Sequence, residues 1–210
     1  SMTISRGGVR KRRYWSLESR PHTDDYEDTV LRVRELVTGA ITRQLVSDVP
    51  LCTFLSGGLD SSVITAVAAR DYQRRGLPAL ETYSFDYTDN AKYFTPSSFQ
   101  PDADQPWVER MTEAFHTRHT VLTCPIPDLC ALLDDAVAAK DLPGMADVDS
   151  SLLYFCRRVA ERHVVALSGE CADEVFGGYP WFERPEMLHA DTFPWCRDLD
   201  ARREVFDAGL

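Results

Sequence analysis

The chain has 210 residues, of which 44% are hydrophobic, and its formal net charge is −10 at pH 7. This length and apolar content favour one domain with a sizeable core and leave little room for a second. The negative charge disfavours general binding to nucleic acid or to anionic membranes, which need basic surfaces, and no apolar run is long enough to span a membrane.

The first 25 residues are predicted to form a linker. Ser1 and Met2 resemble the scar of an expression tag, and residues 3–25 are polar and show no sustained period. Apolar residues then recur at helical spacing over residues 26–45, which predicts an amphipathic packing helix that ends before Pro50.

A strand, a loop and a helix follow. The apolar run at residues 51–55 predicts a buried strand, and residues 63–68 continue as a helix. Residues 56–62 between them are here called the phosphate loop, because paired glycines and a helix N-terminus bring backbone N–H groups close to an anion. The candidate nucleotide-binding residues of this segment are Leu55, Ser56, Gly57, Gly58, Asp60, Ser61 and Ser62.

Asp60 indicates which kind of ligand this loop binds. No Lys-Ser or Lys-Thr pair ends the loop, so it is not a Walker A motif. A carboxylate beside phosphates would repel them unless a divalent cation lay between, and Mg²⁺ commonly binds one or two carboxylates together with substrate phosphates. The loop therefore predicts a site for Mg-ATP, with an ordinary Ser/Gly turn before a helix as the alternative.

The middle of the chain alternates between strand and helix patterns. A strand is predicted at residues 82–85, and the long loop at residues 86–106 is interpreted as a mobile lid, with disorder as the alternative. Ser150 or Ser151 is expected to cap a helix. The remaining predicted elements are a helix at 108–115, a strand at 119–123, a helix at 128–140, a loop at 141–151, a helix at 152–163 and a central strand at 164–167.

The last predicted strand opens into a second glycine-containing stretch. Residues 168–179, here called the second motif, read Ser-Gly-Glu-Cys-Ala-Asp-Glu-Val-Phe-Gly-Gly-Tyr. Ligands of doubly wound sheets bind outside the carboxyl ends of the strands, so both motifs can face one nucleotide from neighbouring strands. The predicted fold is α/β, a doubly wound and mostly parallel sheet with helices on both faces.

These two motifs carry a family resemblance. The phosphate loop resembles the PP-loop of the N-type ATP pyrophosphatases, which have the adenine nucleotide alpha hydrolase-like fold and cleave ATP between its α and β phosphates. The second motif is similar to that of the glutamine-dependent asparagine synthetases. The resemblance extends from about residue 14 to residue 182.

The resemblance implies roles for individual residues. Asp60 and Asp173 match metal-binding aspartates, and Glu170 matches a glutamate that could act as general base on the attacking amine. Contacts to the adenine are implied at Phe85, Asp86 and Tyr87, with a plain core strand as the alternative. Ser168 and Gly169 are implied beside the nucleotide. Further candidates beside the adenylate are Asp147, Asp149, Ser150 and Ser151.

The implied reaction is attack of an aspartate side-chain carboxylate on ATP, which gives aspartyl-AMP and pyrophosphate. Ammonia, supplied from glutamine by an N-terminal glutaminase domain, then displaces AMP. The implied synthetase domain covers residues 26–190, and residues 191–210 are expected to start a truncated helical portion. The chain alone is expected to fold without being active, and a homodimer is possible.

Other functions stay open at this point. The nucleotide motifs do not select the acyl substrate, so a β-lactam-forming or peptide-cyclising amide ligase is the first alternative. A tRNA-modifying pyrophosphatase is disfavoured by the acidic composition. A nucleotide-binding domain without catalysis would not need Asp60, Glu170 and Asp173 together.

The six cysteines show no C-x-x-C pair and are interpreted as reduced thiols in the cytoplasm, with no zinc site. Cys171 departs from the family, which more often has glycine there. This departure questions whether the position needs a positive φ.

Overall fold

The computed structural model describes residues 1–96 and 102–189, and over this part of the chain no helix is long and apolar enough to cross a membrane. The strands are β1 (Met2–Ser5), β2 (Gly8–Lys11), β3 (Leu51–Phe54), β4 (Glu81–Tyr87), β5 (Arg118–Cys124) and β6 (Val165–Leu167). The helices are α1 (Tyr26–Gln44), α2 (Leu59–Arg74), α3 (Asn90–Tyr93), α4 (Gln105–Phe115), α5 (Ile126–Ala131), α6 (Leu133–Lys140), α7 (Ala146–Ala160), α8 (Ala172–Phe176) and α9 (Pro185–Leu188), and a 3₁₀ turn spans Pro180–Phe182.

The chain divides into two compact units, Ser1–Thr38 and Gly39–Leu210. The first contains an antiparallel hairpin of β1 and β2, where a linker or an extended lead-in is expected from the sequence. Its strands of four residues are too short to show a period of two. Helix α1 begins as predicted but contains no buried residue, so its apolar stripe is at most partly covered among the described residues.

The second unit contains a parallel sheet with the order β5-β4-β3-β6, which confirms the predicted α/β class. Leu51 of β3 pairs with Val165 of β6, and Cys52 pairs with Glu81 of β4. The prediction of a central strand at residues 164–167 is wrong, because β6 is at the edge of the described sheet. A continuous apolar run indicates that both faces of a strand are covered by other elements. It does not indicate where the strand lies in the strand order of the sheet.

Two apolar clusters cover the two faces of this sheet, as the doubly wound prediction requires. One cluster joins Leu51 to residues of α2, such as Ala68 and Ala69. The other joins Cys52 of β3 to Phe155 of α7. Because alternate residues of one strand enter opposite clusters, the helices lie on both faces.

Two helix predictions need correction. The single helix expected at residues 128–140 is divided at Leu132 into α5 and α6. Helix α7 begins at Ala146 rather than at residue 152, so Ser150 and Ser151 lie inside it and do not cap it. The Ser150 hydroxyl donates to the Ala146 carbonyl at 2.8 Å, which is back-bonding within the helix.

The long loop expected at residues 86–106 is shorter in the structure. Strand β4 continues to Tyr87, α3 occupies four further residues, and α4 begins at Gln105. Residues 97–101 of the predicted lid lie outside the described residues, and the lid stays a prediction. The predicted helical start at 191–210 also lies outside them.

Candidate functional site

The phosphate loop joins β3 to α2 and is held by its own serines. The buried Ser61 hydroxyl accepts the Ser56 N–H at 3.2 Å and donates to the Gly58 carbonyl at 3.1 Å. Gly58 precedes the helix without any side-chain cap. The first N–H groups of α2 have no partner within the helix, so the loop presents donors suited to an anion.

Gly57 has the backbone conformation that glycine favours. Its φ is 86°, and a Cβ there would lie 2.7 Å from the Asp104 carbonyl oxygen and 3.2 Å from Trp107 Cβ. The start of α4 therefore packs directly on the loop, and a side chain at Gly57 would separate them.

The second motif lies against the phosphate loop. A Cβ on Gly169 would lie 2.9 Å from Asp60 Cβ and 3.0 Å from the Ser61 nitrogen. This close approach follows from the pairing of β3 with β6, whose carboxyl ends emerge side by side. The resulting first cleft, of about 260 Å³, is lined by Phe54, Ser56, Gly58, Asp60, Ser61, Ser168, Gly169, Glu170, Cys171, Asp173 and Tyr179.

Two carboxylates share this first cleft and interact. Partial burial raises the pKa of Asp60, and the nearby charge of Asp173 raises it further. A cation between the two groups would favour the ionised carboxylates and so offset both effects. The described residues contain no cluster of three or more His, Cys, Asp or Glu that could hold a metal alone, whereas two carboxylates plus phosphate oxygens suit Mg²⁺.

The turn after α8 positions Asp173. The N–H groups of Gly177 and Gly178 both donate to the Asp173 carbonyl, at 2.8 and 3.1 Å. A Cβ on Gly178 would overlap the Asp173 carboxylate. Gly178 therefore leaves room for that carboxylate, while Gly177, with a φ of 69°, shapes the turn.

Cys171 occupies the left-handed region, with a φ of 70°. The position therefore does adopt the conformation that favours glycine, although it carries a side chain. The neighbouring Glu170 is exposed, and its N–H donates to the Ser168 hydroxyl at 3.4 Å.

We expect Cys171→Gly to stabilise the folded chain by about 1 kcal/mol, because a non-glycine residue in the left-handed region costs roughly that much. Urea denaturation followed by far-UV circular dichroism measures the difference. Cys130→Gly removes an exposed thiol from α5 and serves as the control, since glycine inside a helix should destabilise. Equal destabilisation by both changes would contradict the strain at Cys171.

Tyr179 forms one wall of the first cleft. Its hydroxyl donates to Glu174 at 2.9 Å, and this bond, with partial desolvation and the surrounding carboxylates, raises the pKa of Tyr179 to about 12. Its ring stacks on Trp181 with centroids 4.2 Å apart. The phenol is thus a neutral and well-oriented wall.

A second cleft, of about 360 Å³, adjoins the first and shares Ser56 with it. The implied nucleotide residues Phe85, Asp86 and Tyr87 all line this second cleft. Its lining comprises Ser56, Ser84, Phe85, Asp86, Tyr87, Asn90, Ala91, Phe94, Ala103, Asp104, Gln105 and Val108.

The candidate site residues of α7 do not line either cleft directly. Asp149 is buried in an ion pair with Lys140, and neither cleft is lined by Asp147 or Ser150. The Ser151 hydroxyl lies 2.8 Å from the Tyr87 hydroxyl and so contacts the second cleft's lining indirectly.

Several lining residues were not singled out from the sequence. Ser84 precedes Asp86 by two residues on the same strand, so period-two alternation could have identified it. Asp104 and Gln105 come from the start of α4, and no local pattern connects that helix to the phosphate loop.

Comparisons with known proteins agree with one another. A family model described as asparagine synthase matches residues 32–208. The chain is 56% identical over 202 residues to asparagine synthetase [glutamine-hydrolyzing] 3 of Bacillus subtilis, covering 96% of this chain and 33% of that protein. It is 28% identical over 191 residues to asparagine synthetase [glutamine-hydrolyzing] 1 of the same organism, covering 87% of this chain and 26% of that protein.

A putative asparagine synthetase of Methanocaldococcus jannaschii is 31% identical over 172 residues, covering 81% of this chain and 30% of that protein. The chain therefore spans about a third or less of the length of these curated relatives.

Proposed function

The chain belongs to the asparagine synthase family, and from this we propose that it carries the ATP-using site of an amide-forming ligase that acts on aspartate. The observation that carries the proposal is the contact of Gly169 with Asp60 and Ser61. This contact brings both family motifs to a single cleft.

The phosphate loop is proposed to bind the triphosphate. Its backbone N–H groups and the amino end of α2 supply donors, and Ser61 keeps the loop in shape by bonding Ser56 and Gly58. Asp60 and Asp173 would hold Mg²⁺, which would supply positive charge beside the phosphates. Catalysis would then rest mainly on positioning and on preorganised charge.

The chemical steps are proposed from the family. The aspartate side-chain carboxylate would attack the α-phosphorus, and the α–β bridging bond would break to release pyrophosphate. Ammonia, derived from glutamine, would then attack the acyl carbon of aspartyl-AMP and expel AMP. Glu170, exposed at the rim of the first cleft, would accept the proton that the attacking amine loses.

The test is calorimetric titration of the chain with ATP, with and without Mg²⁺. Wild type should bind Mg-ATP more tightly than free ATP, and Asp60→Ala should lose most of that difference because one of two carboxylate ligands is gone. Asp48→Ala removes an exposed carboxylate that lines neither cleft and is the matched control. Equal ATP affinity with and without Mg²⁺, in wild type and in Asp60→Ala, would contradict the metal assignment.

A further inference from the structure

The end of β4 places two polar side chains on one face of the sheet. Tyr83 and Phe85 enter the apolar cluster on the α7 side, so Ser84 and Asp86 project to the opposite face. Both of these polar residues line the second cleft. The implied nucleotide residues at 85–87 are therefore divided between two faces, and Asp86 is the charged one.

The Asp86 carboxylate is fixed by its neighbour. One of its oxygens accepts the Tyr87 N–H at 2.8 Å, which holds the group at the carboxyl end of β4. A carboxylate can only accept hydrogen bonds. Whatever it recognises must therefore supply donors.

The Ser84 hydroxyl is held in place by His119. Its hydroxyl lies 2.9 Å from Nε2 of His119, whose Nδ1 lies 2.8 Å from the Thr82 hydroxyl. Burial lowers the pKa of His119, which keeps the ring neutral, with one donor and one acceptor nitrogen. The Ser84 hydroxyl is thus oriented before any ligand arrives.

The position of Asp86, in the second cleft, disfavours the phosphates as its partner. The two clefts share Ser56, and the paired carboxylates Asp60 and Asp173 line only the first. A carboxylate without a cation repels phosphate, but it is a strong acceptor for neutral hydroxyl groups. In a nucleotide whose phosphates occupy the first cleft, the next group along is the ribose, which carries two such hydroxyls.

The walls of the second cleft fit the rest of a nucleoside. Phe94 and Val108 supply apolar surface, which suits the faces of a purine. Polar residues at the cleft also include Asn90, Asp104 and Gln105. The side chains of Ser84 and Asp86 are held by the hydrogen bonds described above, so they are placed to orient a ligand.

We propose that Asp86 is the residue that selects a ribonucleotide, by accepting hydrogen bonds from the 2′- and 3′-hydroxyl groups of bound ATP. This rests on the proposed function, since it requires ATP in the site. A hydrogen bond to a charged group contributes roughly 10- to 100-fold to affinity. Loss of a ribose hydroxyl should therefore be measurable.

The experiment compares four ligands by calorimetry, each with Mg²⁺: ATP, 2′-deoxy-ATP, 3′-deoxy-ATP and pyrophosphate. Wild type should bind ATP about 10-fold or more tightly than either deoxynucleotide. In Asp86→Ala this preference should fall below about threefold, while pyrophosphate affinity stays within about twofold of wild type. Asp86→Asn, which keeps one acceptor oxygen without the charge, should retain part of the preference.

Asp89→Asn is the matched control. It removes an equal charge three residues further on, at an exposed position with a φ of 61° that asparagine tolerates, and it should keep the wild-type preference. The ratio of affinities cancels any general loss of folded protein. A wild-type ratio in Asp86→Ala, or no preference in wild type, would overturn the proposal even if pyrophosphate binds. If wild type binds neither pyrophosphate nor ATP, the proposed function fails and this inference fails with it.

Discussion

Gly169→Ala is expected to lower the affinity for Mg-ATP by about 100-fold or more, while most of the fold is kept. The added methyl group would lie 2.9 Å from Asp60 Cβ and 3.0 Å from the Ser61 nitrogen, so β6 or the phosphate loop must move. Displacing the loop removes at least two hydrogen bonds to charged phosphate, each contributing roughly 10- to 100-fold. Calorimetric titration with Mg-ATP measures the loss.

Folding is checked separately, because the same crowding can destabilise the sheet. Overpacking of this kind costs about 1–3 kcal/mol, which a thermal melt by circular dichroism will detect. Gly39→Ala is the control, since that glycine lies inside α1 and its Cβ would approach only the flexible end of Arg43. Wild-type affinity in Gly169→Ala would show that the two motifs do not bind one ligand together.

The two segments that build the first cleft follow from local sequence. The apolar run of β3 ends at the phosphate loop, and the run of β6 ends at the second motif. Each transition from a strand pattern to glycine and hydroxyl residues is readable from a few neighbouring positions. The prediction that the carboxyl ends of two neighbouring strands meet is confirmed by the pairing of β3 with β6.

What the sequence did not reveal depends on contacts between distant residues. The packing of α4 on Gly57 joins positions about 50 residues apart, and no local pattern records it. In helix α7, which begins at Ala146, Ser150 and Ser151 donate to carbonyls of the preceding turn, whereas the same residue types often cap helices. Propensity alone could not decide between these two uses of a serine.

The left-handed backbone at Cys171 is a related case. Left-handed geometry is usually marked by glycine or asparagine, and a cysteine gives no such signal. The strained backbone of Cys171 lies between Glu170 and Asp173, which are both proposed site residues. Strained backbone tends to cluster at such sites.

Gly178→Ala is expected to lower the affinity for ATP in the presence of Mg²⁺ by about 10- to 100-fold and to leave the stability of the fold nearly unchanged. The new methyl group would overlap the Asp173 carboxylate, which is the mobile end of a partly exposed side chain. The carboxylate can rotate away at little cost to the fold, but it then no longer faces Asp60. The variant should therefore lose the metal and keep the phosphate loop.

The measurement is ATP affinity with and without Mg²⁺ in Gly178→Ala, Asp173→Asn and wild type. The first two should agree, because one turns the ligand aside and the other removes its charge. Affinity for ATP without Mg²⁺ should stay at the wild-type value or rise, since a carboxylate that repels phosphate has moved away. If Gly178→Ala instead weakens ATP binding equally with and without Mg²⁺, then the turn at Gly178 shapes the nucleotide pocket itself, and Asp173 is not held there for a metal.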